Sequence, residues 1–579
     1  MNAAGTLLLS LTLLGCRAAP PIRSAQPAAS APTAVAVVPV SPTASSTLEL
    51  QTDAAEAGLV RGALRLAGGW SGPLAFRGEA EALRTIEAGD DRGPLELDRA
   101  PQLGALLLTP RRVPEGPVLV RWSARLPANV GVASRAFRPV AEATELRVAG
   151  ADVLVLPAAD VALPLTLTLR IGATPRAGAS APLDADRTLG ATSFGLGAEQ
   201  RLERRPSELL AASYLAGDLG RADFHAADGD DFTVWAGYTA FDGRWVGAET
   251  ASVRAAIDDW MGLTPDQRRG AGLLLVPERR DDAGVAIRLS VRGLVASVDP
   301  RAAWTAPTRI RAGQALVQRF VGGALWVGDR DREREGAWFS EGFSRAIATQ
   351  ILADGGLIDP DDRAAEINSE LATEALSPLG RESRADLAAA PDAREATRVS
   401  TARGALVALA FDRALRGREG NDSLKKQLRG WLADAAASAD HALPERMVLP
   451  AIGAADPALL AALERGAEVP LPTDLLGRCY RLRRGPVAPF ELGVELAAAP
   501  EGSVVRAVTP GSAAARAGLA PGDVLVDVRW EEGRSGVPVR AKRARSGAIT
   551  SVSWKPAGAS RPGRWFERVA SVPDSECRP

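Results

Sequence analysis

Histidine is nearly absent from this chain, whose 579 residues include only His225 and His441. Neither has a second histidine one helical turn away, as a zinc-binding helix requires, so we expect no metal site built on histidine. The stretch 223–231 gathers carboxylates around His225, a pattern more typical of a solvated turn than of a calcium or transition-metal site. Serine-nucleophile and dinucleotide motifs are missing too: there is no Gly-x-Ser-x-Gly elbow, and Gly195-Leu-Gly197 lacks a third glycine.

Lysine is also scarce, with four residues among the 69 basic ones, and the formal net charge is −1. A chain without a basic excess gives no sign of a nucleic-acid partner. Beyond the first residues, no apolar run reaches the roughly 18 residues that a membrane-spanning helix needs. We therefore expect neither nucleic acid nor a spanning helix to be part of its function.

The apolar run near the N-terminus is too short to span a bilayer and ends in Leu13-Leu-Gly-Cys16, which resembles a bacterial lipobox. This pattern predicts a signal peptide over 1–16, a lipid on Cys16 and a disordered tether over 17–47, rich in Ala, Pro and Ser. The segment before the run has no Lys or Arg, so an ordinary secretory signal or a misplaced start codon stays open. We expect a protein of the bacterial cell envelope, lipid-anchored to a membrane and facing the periplasm or the cell surface.

The two cysteines outside this leader are Cys479 and Cys577. In an oxidising envelope, such a pair is interpreted first as a disulfide. Two unpaired buried thiols remain the alternative.

Two short stretches carry the strongest functional pattern. The first is Gln314-Ala315-Leu316-Val317-Gln318, in a predicted helix over 311–320, where the two glutamines share one helix face. The second is Trp338-Phe-Ser-Glu-Gly-Phe343, which leaves 22 residues between Gln318 and Glu341.

These stretches resemble the glycyl aminopeptidase family of gluzincin peptidases. In that family, H-E-x-x-H supplies two zinc ligands and a general base, and W-x-x-E-G-[FY] supplies the third ligand. Residues 401–412 and 422–431 resemble the family's K-G-A-L-V helix and the S-L-x-x-x-[ML]-R helix that follows it. The residues that stand in the four catalytic positions here are Gln314, Ala315, Gln318 and Glu341.

These replacements remove the zinc chemistry that the resemblance would imply. A glutamine amide is uncharged and a weak ligand, and one carboxylate does not hold zinc. Ala315 cannot take a proton from water, a transfer that contributes about 10²–10⁴-fold to catalysis. We therefore expect vestigial positions without metal or cofactor, in which both glutamine amides donate to Glu341. Taken alone, a helix with two glutamines also fits a protein without catalytic ancestry.

The chain is long enough for several domains, and the pattern predicts a multidomain α+β fold. Alternating runs such as Val118–Leu126 and Leu165–Ile171 predict an antiparallel β-sandwich over 48–185. For 186–475 the resemblance implies a thermolysin-like pseudopeptidase domain, with mixed strands and helices first and helices alone after about residue 308.

Residues 478–579 resemble a bacterial PDZ domain, above all through the string Pro510 to Val526. The resemblance places Leu492, Gly493 and Val494 in the loop whose N–H groups bind a peptide's terminal carboxylate. The stretch between Val526 and the next strand-like run, which begins at Val537, is too short and too rich in glycine for the helix that forms the far wall of the peptide groove.

The sequence thus favours an inactive aminopeptidase-like envelope lipoprotein that binds a protein or peptide. An active metallopeptidase or hydrolase with a non-standard site is the first alternative. A structural scaffold is the second, because the sequence does not show whether the old cleft is open.

Overall fold

The structure is a computed structural model that describes residues 45–577. The positions it does not describe within that range are 68, 69, 71, 103, 127–136, 173–185, 227, 228, 240, 281–283, 328–332, 418–421, 438–441, 444, 500, 501, 531–534, 546, 574 and 575. The predicted signal peptide, Cys16, His441 and the predicted tether up to residue 44 lie outside the described residues. None of the described helices is long and apolar enough to cross a membrane.

The N-terminal part is built from strands. Its elements are β1 Ser46–Thr52, β2 Leu59–Leu66, β3 Leu74–Phe76, β4 Leu83–Asp90, β5 Gly93–Leu95, β6 Leu97–Gln102, β7 Ala105–Pro110, β8 Val118–Arg125, β9 Val140–Glu142, β10 Glu145–Ala149, α1 Gly150–Val153, β11 Val155–Pro157, β12 Leu163–Arg170, β13 Arg187–Thr192, β14 Gly195–Leu196 and β15 Glu199–Arg204. We call β15-β12-β1-β2-β8-β4-β5 the N-terminal sheet and β11-β3-β7-β6 the small sheet, each in spatial order. Because β1 begins at Ser46, the last two residues of the predicted tether are part of a strand.

One apolar core includes buried residues from both of these sheets. In β12, leucines 165, 167 and 169 are buried while the threonines between them are half-buried, which is the alternation of a strand with one face in the core. Gly62 lies against the ring of Trp122, where a side chain would overlap the indole. The sandwich is not purely antiparallel, since β1 and β12 pair in parallel. The long connection between these two strands allows that direction.

The strand pairing runs across the predicted domain boundary at 185. β10 pairs with strand β16 (Ser213–Ala226), which belongs to the sheet of the following region, and β9 pairs with β10. In the other direction, β15 returns to pair with β12 of the N-terminal sheet.

The middle region begins with a second large sheet. Its elements are α2 Pro206–Ala211, β16 Ser213–Ala226, β17 Gly229–Ala236, α3 Gly243–Met261, β18 Gly272–Pro277, β19 Val285–Ser290 and β20 Gly293–Val298. We call the order β14-β13-β16-β17-β18-β20-β19 the central sheet. Strands β17, β18 and β20 are parallel, and β19 closes the edge antiparallel to β20.

From residue 306 to residue 465, the described regular elements are helices, apart from two short paired strands. The elements are α4 Ala306–Val317, β21 Trp326–Val327, α5 Glu333–Ala337, a π-helical turn Trp338–Phe343, α6 Ser344–Asp354, α7 Pro360–Leu376, α8 Arg384–Ala389, α9 Ala393–Arg416, α10 Leu424–Ala436, β22 Ala442–Leu443, α11 Glu445–Ala455 and α12 Pro457–Arg465. These helices share one apolar core with α3 and the central sheet.

The C-terminal part contains a strand pair and a sheet. Its elements are β23 Tyr480–Val487, β24 Val494–Ala499, β25 Gly502–Val508, α13 Ala513–Arg516, β26 Val524–Arg529, β27 Val539–Arg545, β28 Ala548–Trp554 and β29 Arg561–Arg568. We call β24-β25-β26-β27-β28 the C-terminal sheet and the antiparallel pair β23–β29 the C-terminal ribbon. A disulfide joins Cys479 to Cys577, with Cα atoms 5.6 Å apart, at the two ends of this part. The described residues between β26 and β27 form no helix.

Candidate functional site

Helix α4 contains Gln314 and ends just before Gln318. It begins at Ala306 with Pro307 in its first turn, and residues 312 to 317 are all buried. Gln314 is 9% exposed and Ala315 is 5% exposed. Val317 is the last residue of the helix, and Gln318 is its half-buried C-cap residue, whose N–H still donates to the Gln314 carbonyl oxygen at 2.9 Å.

Glu341 lies in the π-helical turn between α5 and α6. Single π-helical turns are rare and occur frequently at functional sites. This turn lies directly against α9. A Cβ on Gly342 would lie 2.7 Å from the carbonyl oxygen of Thr401, and a side chain on Gly404 would overlap the carbonyl of Trp338. The two glycines therefore let the turn and the helix meet backbone to backbone.

Aromatic side chains fix the other faces of the turn. Trp338 packs edge-on against Phe343, with ring centroids 5.6 Å apart, and Phe339 packs against Trp431 of α10. Trp338, Phe339 and Phe343 are each at most 1% exposed. Together with the glycine contacts, this packing holds the backbone of Glu341 against α9 and α10.

Gln314 and Glu341 are in direct contact. The Gln314 Nε2 atom donates to Glu341 Oε2 at 2.9 Å and to the Glu341 carbonyl oxygen at 3.3 Å. An amide whose nitrogen donates to the carboxylate is oriented as a hydrogen-bond partner. A metal ligand would present the amide oxygen instead. The half-buried Glu341 keeps the site in contact with the surface.

The second expected contact is missing. Among the described residues, the Gln318 side chain makes no hydrogen bond, so the prediction that both amides donate to Glu341 is wrong for Gln318. Gln318 keeps a helical backbone one turn after Gln314, but its amide is only half-buried, so it does not need Glu341 as a partner.

The side chains present do not fit the zinc ion that the resemblance implies. Gln314 is turned toward Glu341 as a donor, and Ala315 has no group that could move a proton. Within the described residues, no three His, Cys, Asp or Glu side chains are grouped closely enough to hold a metal ion. We derive no zinc-dependent step from this site.

A charged cluster that the sequence analysis missed lies one turn beyond Glu341. Arg345 Nε lies 2.6 Å from Glu366 Oε1 and 2.7 Å from Glu370 Oε1, both on α7. Burial, opposed by the charge of Arg345, raises the pKa of Glu370 to about 7. The spacing of 341 and 345, like that of 366 and 370, is one helical turn, but only the packing of α6 on α7 brings the two pairs together.

The predicted carboxylate-binding loop lies in a different part of the fold, at the start of β24. Gly493 has a left-handed backbone (φ +72°), and a Cβ there would lie 2.7 Å from Ser512. Its carbonyl accepts from Thr509 N at 2.9 Å, and the Leu492 carbonyl accepts from Trp554 Nε1 at 2.8 Å. Val494 begins the strand. These contacts tie the carbonyl groups of the loop to its own sheet.

His225 lies in the hairpin between β16 and β17, where Nδ1 is 3.0 Å from Asp230 Oδ1. Both side chains are exposed. The hydrogen bond to Asp230 raises the pKa of His225.

Comparison with known proteins places this fold. No protein-family model matches the sequence, and no curated protein matches it significantly. Among solved structures, an aminopeptidase N family protein from Idiomarina loihiensis superposes with a TM-score of 0.62 at 15% identity, covering 92% of this chain and 99% of that one.

Two further structures align less well. An M1 zinc metallopeptidase from Deinococcus radiodurans has a TM-score of 0.45 at 16% identity, covering 74% of this chain and 95% of that one. Leukotriene A4 hydrolase from Saccharomyces cerevisiae has a TM-score of 0.43 at 12% identity, covering 74% and 68%. At 15% identity the likeness to the aminopeptidase N family protein concerns the fold alone: this chain has a mixed α/β multidomain fold that resembles it.

Proposed function

We propose that this chain is an inactive aminopeptidase-like protein, a degenerate relative of the glycyl aminopeptidases, that binds a polypeptide without cleaving it. The observation that carries the proposal is the hydrogen bond from Gln314 to Glu341, which occupies the remaining carboxylate. The alanine beside it leaves no general base in the position where the family has one. An aminopeptidase-like fold supports a peptidase-related role, so binding is the function that this site leaves.

The surface offered to a polypeptide is the free edge of β19, next to α4. The Gly284 carbonyl oxygen accepts a hydrogen bond from Asp299 N, on the side of β20. Because the backbone groups alternate in direction along a strand, the N–H and C=O groups of Val285 and Ile287 point away from β20. Arg311 of α4 donates to the Val285 carbonyl at 3.2 Å, which confirms that direction and leaves the edge from Ile287 onward for an added strand.

Zinc content tests the inactivity. We expect no stoichiometric zinc after incubation with the metal and dialysis, and no release of amino acids from aminoacyl p-nitroanilides. One zinc per chain that disappears in the Glu341→Ala variant would overturn this part. The combined change Gln314→His, Ala315→Glu and Gln318→His supplies the positive control for metal binding.

A peptide titration tests the binding. The probe is a set of fluorescent peptides with free N-termini, measured by anisotropy against the full chain. Ile287→Pro removes one outward N–H without touching the pairing to β20, so we expect at least tenfold weaker binding. Arg561→Ala, on the exposed C-terminal ribbon, is the control. Peptides that bind the Ile287→Pro variant unchanged would favour the scaffold alternative for this cleft.

The location belongs to the same proposal. We infer a lipid on Cys16 and residence in the bacterial envelope, and the disulfide between Cys479 and Cys577 supports an oxidising compartment. Metabolic labelling with a fatty acid is expected to mark the wild type and not Cys16→Ser. Equal labelling of both proteins would contradict the anchor.

A further inference from the structure

The last strand of the C-terminal sheet, β28, has a free edge. It pairs with β27 on one side, and no described strand pairs with it on the other. Every second residue of a strand at such an edge directs its N–H and C=O groups outward. A seven-residue edge is long enough to receive another extended chain.

This edge has neither the charged residue nor the proline that commonly protects a sheet edge. Its sequence Ala-Ile-Thr-Ser-Val-Ser-Trp has no charge and no proline. Among the described residues, the other edge strands of the N-terminal, small, central and C-terminal sheets each have a charge, a proline or a length of two residues. They are β5 with Pro94, β6 with Asp98, Arg99 and Pro101, β9 with Glu142, β11 with Pro157, β14 with two residues, β15 with two glutamates and two arginines, β19 with Arg288 and β24 with Glu495.

The strand is also exposed on both faces over its first half. Ala548 to Ser551 are all exposed, and Ile549 is 68% exposed. Only toward its end does β28 enter the core, where Trp554 is buried. An uncharged, exposed edge of this kind is a template for strand pairing.

The face behind the edge is basic. In register, Ser553 faces Arg540 and Ser551 faces Lys542, so the edge strand presents small side chains in front of two exposed cations. Arg540 also lies directly opposite Arg529 of β26. Like charges opposite each other destabilise a sheet, so this arrangement favours an incoming carboxylate. Among the described residues, the carboxylate that contacts these cations is Asp527, which pairs with Arg529 and Lys542.

The spacing of strands in a sheet determines which side chains of an added strand would reach the cations. It would lie about 4.8 Å beyond β28 and about 10 Å from β27. A glutamate opposite Ser551 or Ser553 reaches over the serine toward Lys542 or Arg540, while the alternate residues fall on the face of Val552. A second copy of β28 would bring the same cations to the same face, so self-pairing is disfavoured.

We propose that β28 is a docking edge for an extended acidic segment of another protein, which adds a strand to the C-terminal sheet with its carboxylates on the side of Arg540 and Lys542. This surface is separate from the β19 edge and does not depend on the proposed function.

The experiment titrates the full chain with a fluorescent eight-residue peptide of alternating valine and glutamate, blocked at both ends. Blocking removes the terminal carboxylate, so the loop at Gly493 cannot account for binding. Saturable binding is expected, with at least tenfold weaker affinity for Arg540→Glu/Lys542→Glu. The matched control, Arg483→Glu/Arg516→Glu, reverses two exposed arginines elsewhere and is expected to bind within twofold of the wild type.

Backbone pairing is tested on the peptide itself. N-methylation of either the valines or the glutamates blocks one edge of the peptide, and only one of the two sets is expected to abolish binding. The proposal is overturned if the glutamate peptide does not bind, if a lysine version binds equally well, or if both methylated peptides still bind. A wild-type dimer in sedimentation that is lost in Ser551→Pro would assign the edge to a second copy and would also overturn it.

Discussion

Arg564 of the C-terminal ribbon and Glu374 of α7 form an ion pair with Nη2 and Oε2 2.9 Å apart. The two side chains are 5% and 3% exposed. Arg564 Nη1 also donates to the carbonyl of Val469 at 2.7 Å. One guanidinium therefore links the ribbon, α7 and the segment after α12, and its Nη1 also lies 3.1 Å from the half-buried Glu468.

The change Arg564→Met keeps the length of the side chain and removes its charge and its donors. Glu374 then remains buried without its close cation, and breaking a buried pair from one side costs about 3–5 kcal/mol. Arg381 lies 3.7 Å from Glu374 but is 56% exposed, so it replaces at most a surface pair, worth below about 1 kcal/mol. We expect a loss of about 3 kcal/mol in the free energy of unfolding.

Urea unfolding followed by tryptophan fluorescence measures the loss, with Arg483→Met as the control. Arg483 pairs with Glu567 across the same ribbon at 3.0 Å, but both are more than half exposed, so we expect a change below about 1 kcal/mol. The double change Glu374→Leu/Arg564→Met is expected to regain most of the stability, because neither charge is left buried. Equal losses in the two single arginine variants, or additive losses in the double variant, would refute the reasoning.

Three further predictions concern other parts of the fold. Gly404→Ala should destabilise the protein by about 1–3 kcal/mol because the new methyl group overlaps the Trp338 carbonyl. Gly430→Ala, with open space around it on α10, should be neutral or slightly stabilising. Thermal unfolding compares the two variants, and equal effects would contradict the close packing at Gly404. The folded protein raises the pKa of Glu370 from 4.5 to about 7, so the stability that this group contributes is complete below pH 4.5 and decreases by up to about 3 kcal/mol as the pH rises to 7. Glu370→Gln should therefore make the urea midpoint less dependent on pH over this range, and an unchanged pH dependence would contradict the assignment. Cys479→Ser opens a loop of 98 residues and should cost up to about 4–5 kcal/mol in the non-reduced protein, while a loss below about 1 kcal/mol would show that the loop is held by its other contacts.

Sequence periodicity correctly predicted strands that bury one of their two faces. The alternation in 165–171 corresponds to strand β12, and the run 118–126 corresponds to β8. The start of helix α3 at Gly243 was not predicted. Two glycines weaken the helical pattern there, yet they allow the helix to lie against Trp235 and Thr233. The capping residue Asp242 was the signal that could have marked the true start.

The candidate site was predictable in part. The spacing of Gln314 and Glu341 in familiar motifs was enough to expect their side chains to meet. The missing contact of Gln318 was not predictable, since the backbone spacing of the two glutamines is the helical spacing that the motif predicts. The ion pairs of Arg345 with α7 join side chains from separate helices, and a single sequence carries no record of such pairing.

The exchange of strands across residue 185 has a consequence for how the protein is made. During synthesis, β12 lacks its partner β15 until the ribosome has added that strand. At that point β10 still lacks its partner β16, which comes later in the chain. The first 185 residues are therefore not an independent folding unit, although they look like one in the sequence. Nascent chains of this length hold two unsatisfied strands, and the cell must keep them from pairing elsewhere until about forty more residues have emerged.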